Sequence, residues 1–152
     1  MTQTLTRGLG EGWSDMVALI FRMSPADTRN DPQLIGEYVT GDSNKGIRSY
    51  PYSTNRDVNP LMYSSVSGRE GQVHKIGEVW AVTLLEVYWN LVDAHGFSTN
   101  LKKDVKSGKG NTLFVSFYNQ RSGSYILVTI ACRWHEITAL QSQFCSSKRC
   151  HH

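Results

Sequence analysis

No stretch of this 152-residue chain nears the roughly 18 consecutive apolar residues of a membrane-spanning helix, so no membrane partner is expected. The opening Met1-Thr2-Gln3-Thr4-Leu5-Thr6-Arg7 has no apolar core of the signal-peptide kind, so the chain as written brings no export signal. Cysteine is scarce. Cys132, Cys145 and Cys150 cannot all pair with one another, and their spacing fits no common zinc pattern. Repeats and low-complexity tracts are missing too. What remains, with 39% hydrophobic and 19% charged residues, has the length and composition of one ordinary globular domain.

The formal charge of +3 hides an asymmetry. Residues 1–101 hold 8 Lys/Arg against 11 Asp/Glu, a net of −3. Residues 102–152 hold 8 against 2, a net of +6, together with every cysteine. So abrupt a change marks a boundary in the second part of the chain. The basic residues of that part are scattered among apolar runs with no organised face, so no nucleic-acid partner is expected.

Hydrophobic periodicity predicts a first helix over about residues 9–22, with Trp13, Met16, Val17, Ile20 and Phe21 as its buried stripe. Pro25 stops it. Residues 30–73 are rich in Gly, Pro, Asn, Ser and Tyr without a sustained period. They read as a long irregular connection with a short helix around 32–39. Connections of that length are functional or belong to a larger protein that packs them. A second helix over about 74–94, stopped by Gly96, is apolar nearly all round. Ile76, Val79, Trp80, Thr83, Leu84, Val87, Tyr88 and Leu91 form one stripe; Val82, Leu85, Trp89 and Val92 form another. Such a core helix needs neighbours on every side. The chain offers few, which hints at a partner lobe outside it. Residues 97–110 read as a polar, Lys-rich loop.

Within the first helix, Gly10-Glu11-Gly12-Trp13-Ser14-Asp15 sets two carboxylates four residues apart on one face. The plain reading is a solvated surface pair. The chemical reading is a metal ligand at the first position and, one turn on, a carboxylate that orients a neighbouring histidine.

Four words, "GLGEGWSD", "NKGIRSYPYST", "VHKIGEVWAVTLLEVYWNLVDAHG" and "GNTLF", stand in this order over residues 8–114. Together they resemble the C-terminal half of the fungalysin family, secreted fungal zinc metalloendopeptidases. The fold implied is mainly α, the helical C-terminal lobe of a thermolysin-like metallopeptidase, incomplete and with long irregular loops.

In that superfamily two histidines of an H-E-x-x-H helix and a glutamate from a later E-x-x-x-D helix hold the zinc, and the glutamate between the histidines is the general base. The resemblance makes Glu11 the third zinc ligand and Asp15 the group that orients a ligand histidine. His74, 63 positions beyond Glu11, matches the histidine that donates to the tetrahedral oxyanion; Glu70, four residues earlier, could hold its imidazole protonated. Arg48, 37 positions after Glu11, matches an arginine that binds a substrate carbonyl through its planar fork. Each also has a plainer reading, a structural helix-end histidine and a solvated or ion-paired arginine. Glu78 and Tyr52 are polar candidates without an assigned role.

One departure matters most. The chain contains no H-E-x-x-H; His135-Glu136-Ile137-Thr138-Ala139 starts like one, but alanine takes the second histidine's place. One protein ligand of three and no general base leave this chain inactive by itself, truncated before the zinc helix and missing an N-terminal zinc-helix lobe. The expected whole is an extracellular zinc metalloendopeptidase acting on protein or peptide substrates. The alternative is a non-catalytic helical module that binds a protein partner.

After Phe114 the resemblance stops. The family continues with a helical segment containing a word like "DGMKLQPCNP". Back-translating residues 128–152 with permitted codons and reading one base along gives "LQLHVDGMKLQPCSPSFVQANAAI". Residues 1–114 therefore read as a partial metallopeptidase lobe, and 115–152 as an unrelated tail written out of frame or from an intron. Strands drawn in that tail, over the β-prone residues 124–132, would carry no weight.

Overall fold

The computed structural model describes residues 3–69, 71–101, 104 and 106–119. Its elements are α1 (Gln3–Arg22), the single-turn α2 (Glu37–Thr40), a 3-10 turn (Tyr63–Val66), α3 (Val73–His95) and α4 (Gly110–Asn119). Among the described residues there is no strand, only isolated bridges between Gln33 and Tyr52 and between Ile35 and Gly46. The architecture is mainly α, as the resemblance implied.

The central element is α3. Ile76, Val79, Ala81, Val82, Leu84, Leu85, Val87, Tyr88, Trp89 and Val92 are all buried, so both predicted stripes face protein. Burying one such side chain stabilises by about 1.5–3 kcal/mol. Gly96 ends the helix with φ 75°, a value that suits glycine, and its N–H donates to Val92 O at 2.7 Å. The sequence offered few elements to surround such a helix, yet its neighbours come from this chain. α1 makes the largest interface with it, α4 packs on another side, and the irregular connection adds Tyr52 and Leu61 to the same core.

Helix α1 starts earlier than predicted; of the expected stripe Met16 and Ile20 are buried and Trp13 packs on the core, whereas Phe21 points out. Gly8, Gly12, Asp15, Met16, Leu19 and Ile20 are buried, Trp13 and Val17 are half-buried, and Phe21 is 74% exposed. Hydropathy placed Phe21 in the stripe because it cannot see that a bare glycine or a paired aspartate may face the core. The reason lies at the crossing. A Cβ at Gly12 would stand 2.5 Å from Gly77 O, and one at Gly77 would stand 2.8 Å from Glu11 Cβ. Backbone meets backbone there, and that packing offsets glycine's helix penalty of about 1 kcal/mol.

The short helix expected around residues 32–39 is α2, shifted toward its far end. The predicted loop over 97–110 ends where α4 begins, a helix the periodicity of this short segment did not reveal. Buried Asn111 anchors it: Oδ1 accepts the Ser98 N–H at 2.9 Å and Nδ2 donates to Ser98 O at 2.8 Å. α4 runs through Phe114 to Asn119, and Val115 and Phe117 pack against the core. The three cysteines, the His135 word and residues 124–132 lie outside the described residues.

Candidate active site

The α1–α3 crossing brings the separated sequence words together. Because Gly12 and Gly77 let the helices touch, Glu11 on α1 faces the first turn of α3. His74 Nδ1 lies 3.0 Å from Glu11 Oε2, and both side chains remain open, 63% and 38% exposed. Glu11 is thus a carboxylate partner of this imidazole, and Glu70 falls outside the described residues.

One turn along α1, Asp15 is buried. Arg48 grips it with both arms of its fork, Nε donating to Oδ2 and Nη2 to Oδ1, each at 2.7 Å. The Tyr52 hydroxyl donates to Oδ2 at 2.5 Å. These charge-assisted, two-point bonds compensate the desolvation of both ions. The bond to Asp15, ahead of the opposing desolvation, raises the Arg48 pKa, so its charge is permanent. Burial first, then the Asp15 charge, pushes the Tyr52 phenol well above its ordinary range and keeps it a donor. Arg48 reaches the site from a loop set by Gly46, whose φ of 68° and Cβ-excluding contact with Ile35 O require glycine. Arg48 Nη1 makes no hydrogen bond to any described residue.

Four of the five sequence candidates thus fall in one cluster: Glu11 with His74, and Asp15 with Arg48. Tyr52 was noted without a role and proves to be a direct partner of Asp15. Glu78, also without a role, is buried on α3 and accepts the Ser49 N–H at 3.1 Å. Arg69 went unremarked; its Nη1 lies 3.9 Å from Glu78 Oε2. A signal for this pair existed, since a carboxylate on an apolar stripe of a core helix must find a cation or donor. Glu11 offers an accessible anionic oxygen, a suitable single zinc ligand. Among the described residues, however, no group of three or more His, Cys, Asp or Glu side chains could hold a metal ion. The described residues alone therefore do not form a zinc site.

A mainly helical unit that sets an E-x-x-x-D helix against a V-H-x-I-G-E helix is consistent with a lobe of a metallopeptidase. The profile described as Fungalysin metallopeptidase matches residues 1–121, and the chain belongs to that family. The chain is 46% identical over 101 residues to "Extracellular metalloproteinase mep" of Aspergillus fumigatus, covering 66% of this chain and 16% of that protein. It is 45% identical over 101 residues to "Extracellular metalloproteinase 2" of Trichophyton rubrum, with the same coverage of 66% and 16%. "Extracellular metalloproteinase 9" of Uncinocarpus reesii is 44% identical over 101 residues, again 66% and 16%. The chain thus spans about a sixth of the length of these relatives. The family match runs seven residues past Phe114, as α4 runs past it.

Proposed function

We propose that this chain carries the glutamate half of an extracellular zinc metalloendopeptidase site, acting on protein or peptide substrates once an H-E-x-x-H helix is supplied from outside it. The observation that carries this reading is the meeting of Glu11 with His74 beside a locked Asp15–Arg48 pair, in a chain of the fungalysin family. Glu11 would be the one ligand contributed here. A bound zinc supplies Lewis acidity and an activated water. His74 stands at the open edge, where an imidazole N–H can donate to an oxyanion. Arg48 is held by Asp15 with Nη1 left over, and that group is the donor for a substrate carbonyl. Asp15 Oδ1 takes a single bond from Arg48, which leaves it a lone pair for an incoming histidine N–H.

Alone, the chain is inactive and binds zinc weakly, because one carboxylate leaves the metal mostly hydrated and there is no general base. In this reading the out-of-frame or intron-derived tail lies beyond the family match, after residue 121 rather than from 115. Two experiments test it. Purified chain with added zinc is expected not to cleave casein; chelator-sensitive hydrolysis above a Glu11→Gln control would refute the inactivity. Sequencing the transcript across the locus should show an in-frame H-E-x-x-H upstream of Glu11 and the "DGMKLQPC" word restored downstream. Finding neither would leave the helical interaction module as the better account.

A further inference from the structure

Glu78 stands one turn beyond His74 on α3 and is the one charged residue among the buried residues of that helix. Burying a carboxylate is costly, and an apolar side chain would serve the core at least as well. Its two oxygens reach different segments. Oε1 accepts the backbone N–H of Ser49, the residue after Arg48. Oε2 has no hydrogen-bond partner, and the cation nearest it is Arg69 Nη1 at 3.9 Å, itself buried and unpartnered. Arg69 belongs to the segment that leads into His74. The two donors of the candidate site, Arg48 and His74, therefore sit on segments tied to the same carboxylate.

We propose that Glu78 is a positioning residue for this site. Through Ser49 it fixes the loop that presents Arg48 to Asp15; through Arg69 it fixes the approach to His74. The inference deepens the metallopeptidase reading, since it takes Arg48 and His74 as the substrate-facing donors. Glu78 itself touches neither metal nor substrate. An acceptor suffices for the Ser49 contact, so glutamine can replace glutamate there, whereas the Arg69 contact needs the charge.

The test uses the full chain, isotope-labelled, and needs no activity, so it stands or falls apart from the peptidase assignment. Solvent exchange of the Arg48 Nε–H is followed by NMR in wild type, Glu78→Ala, Glu78→Met and Glu78→Gln. The amide of Val92, far along α3, reports global loosening. Loss of one charge-assisted tether should speed Arg48 exchange about tenfold in the Ala and Met variants. Val92 exchange should stay unchanged, and Gln should restore the wild-type rate at Arg48. Met, of similar volume, keeps the comparison available if Ala fails to fold. Arg69→Met should shift the His74 ring signals and leave Arg48 exchange alone. An Arg48 rate indifferent to Glu78→Met overturns the proposal, as does equal acceleration at Arg48 and Val92. His74 signals unmoved by Arg69→Met overturn its second half.

Discussion

Two carboxylates one turn apart on α1 each meet a nitrogen partner, and the two contacts behave as opposites. Asp15 with Arg48 is closed in, their side chains 6% and 11% exposed, and is held at three points. Glu11 with His74 is a single contact with both partners open, 38% and 63% exposed. A salt bridge with satisfied geometry inside protein is structure. The same pair at the edge is only loosely committed, and its atoms are available to something else. The difference arises from what covers each turn. The Arg48–Tyr52 segment folds over Asp15 and leaves Glu11 bare.

Breaking the closed pair should have the largest effect. Arg48→Ala strands the Asp15 charge in the interior and should cost about 3–5 kcal/mol in urea denaturation. Replacing both together, Asp15→Leu with Arg48→Met, should recover most of that. A single variant within about 1 kcal/mol of wild type would erase the contrast between the pairs. Gly77→Ala should cost about 1–3 kcal/mol in thermal denaturation, because the added methyl meets Glu11 Cβ and Gly12 N.

The closed side also carries a pH signature. The folded chain holds the Tyr52 proton beyond the pH at which an unfolded tyrosine releases it, near 10. Stability is therefore full below about pH 10 and falls as pH rises past it. Burial raises Tyr88 in the same direction, so Tyr52→Phe should flatten the alkaline slope without abolishing it. Denaturation midpoints between neutral and strongly alkaline pH would show this; a slope identical to wild type would detach Tyr52 from the pair. Smallest of all, Glu11→Gln or His74→Ala should move stability by no more than about 1 kcal/mol, since an exposed pair contributes little. A larger loss would mean that the open pair is structural after all.

Much of this was legible in the sequence. The E-x-x-x-D and V-H-x-I-G-E words gave Glu11, Asp15 and His74, and the apolar pattern of α3 fixed that helix within a residue at each end. The buried face of α1 was only half legible: Met16 and Ile20 showed, but Gly8, Gly12 and Asp15 register as polar or neutral and Phe21 took their place. Periodicity measures transfer from water; it is blind to backbone contact and to a charge that finds its partner 33 positions away, as Asp15 finds Arg48. The irregular connection between α1 and α3 hid most for the same reason. Tyr52, Ser49 and Arg69 matter through bonds that no local pattern encodes.

The glycine crossing also decides which kinds of change this region can absorb. With no side chain between the two backbones, rotamer changes have nothing to adjust, and the helices have a single fit. Away from Gly8, Gly12 and Gly77, substitutions on the outer faces can be tried one letter at a time. Length cannot. One residue added between Gly8 and Asp15 would turn everything after it by about 100° around α1. Either the glycine seam or the carboxylate face would then be lost. Sequences that drift from this one should keep Gly8, Gly12 and Gly77, where an added Cβ would collide, and should keep the count of residues between them.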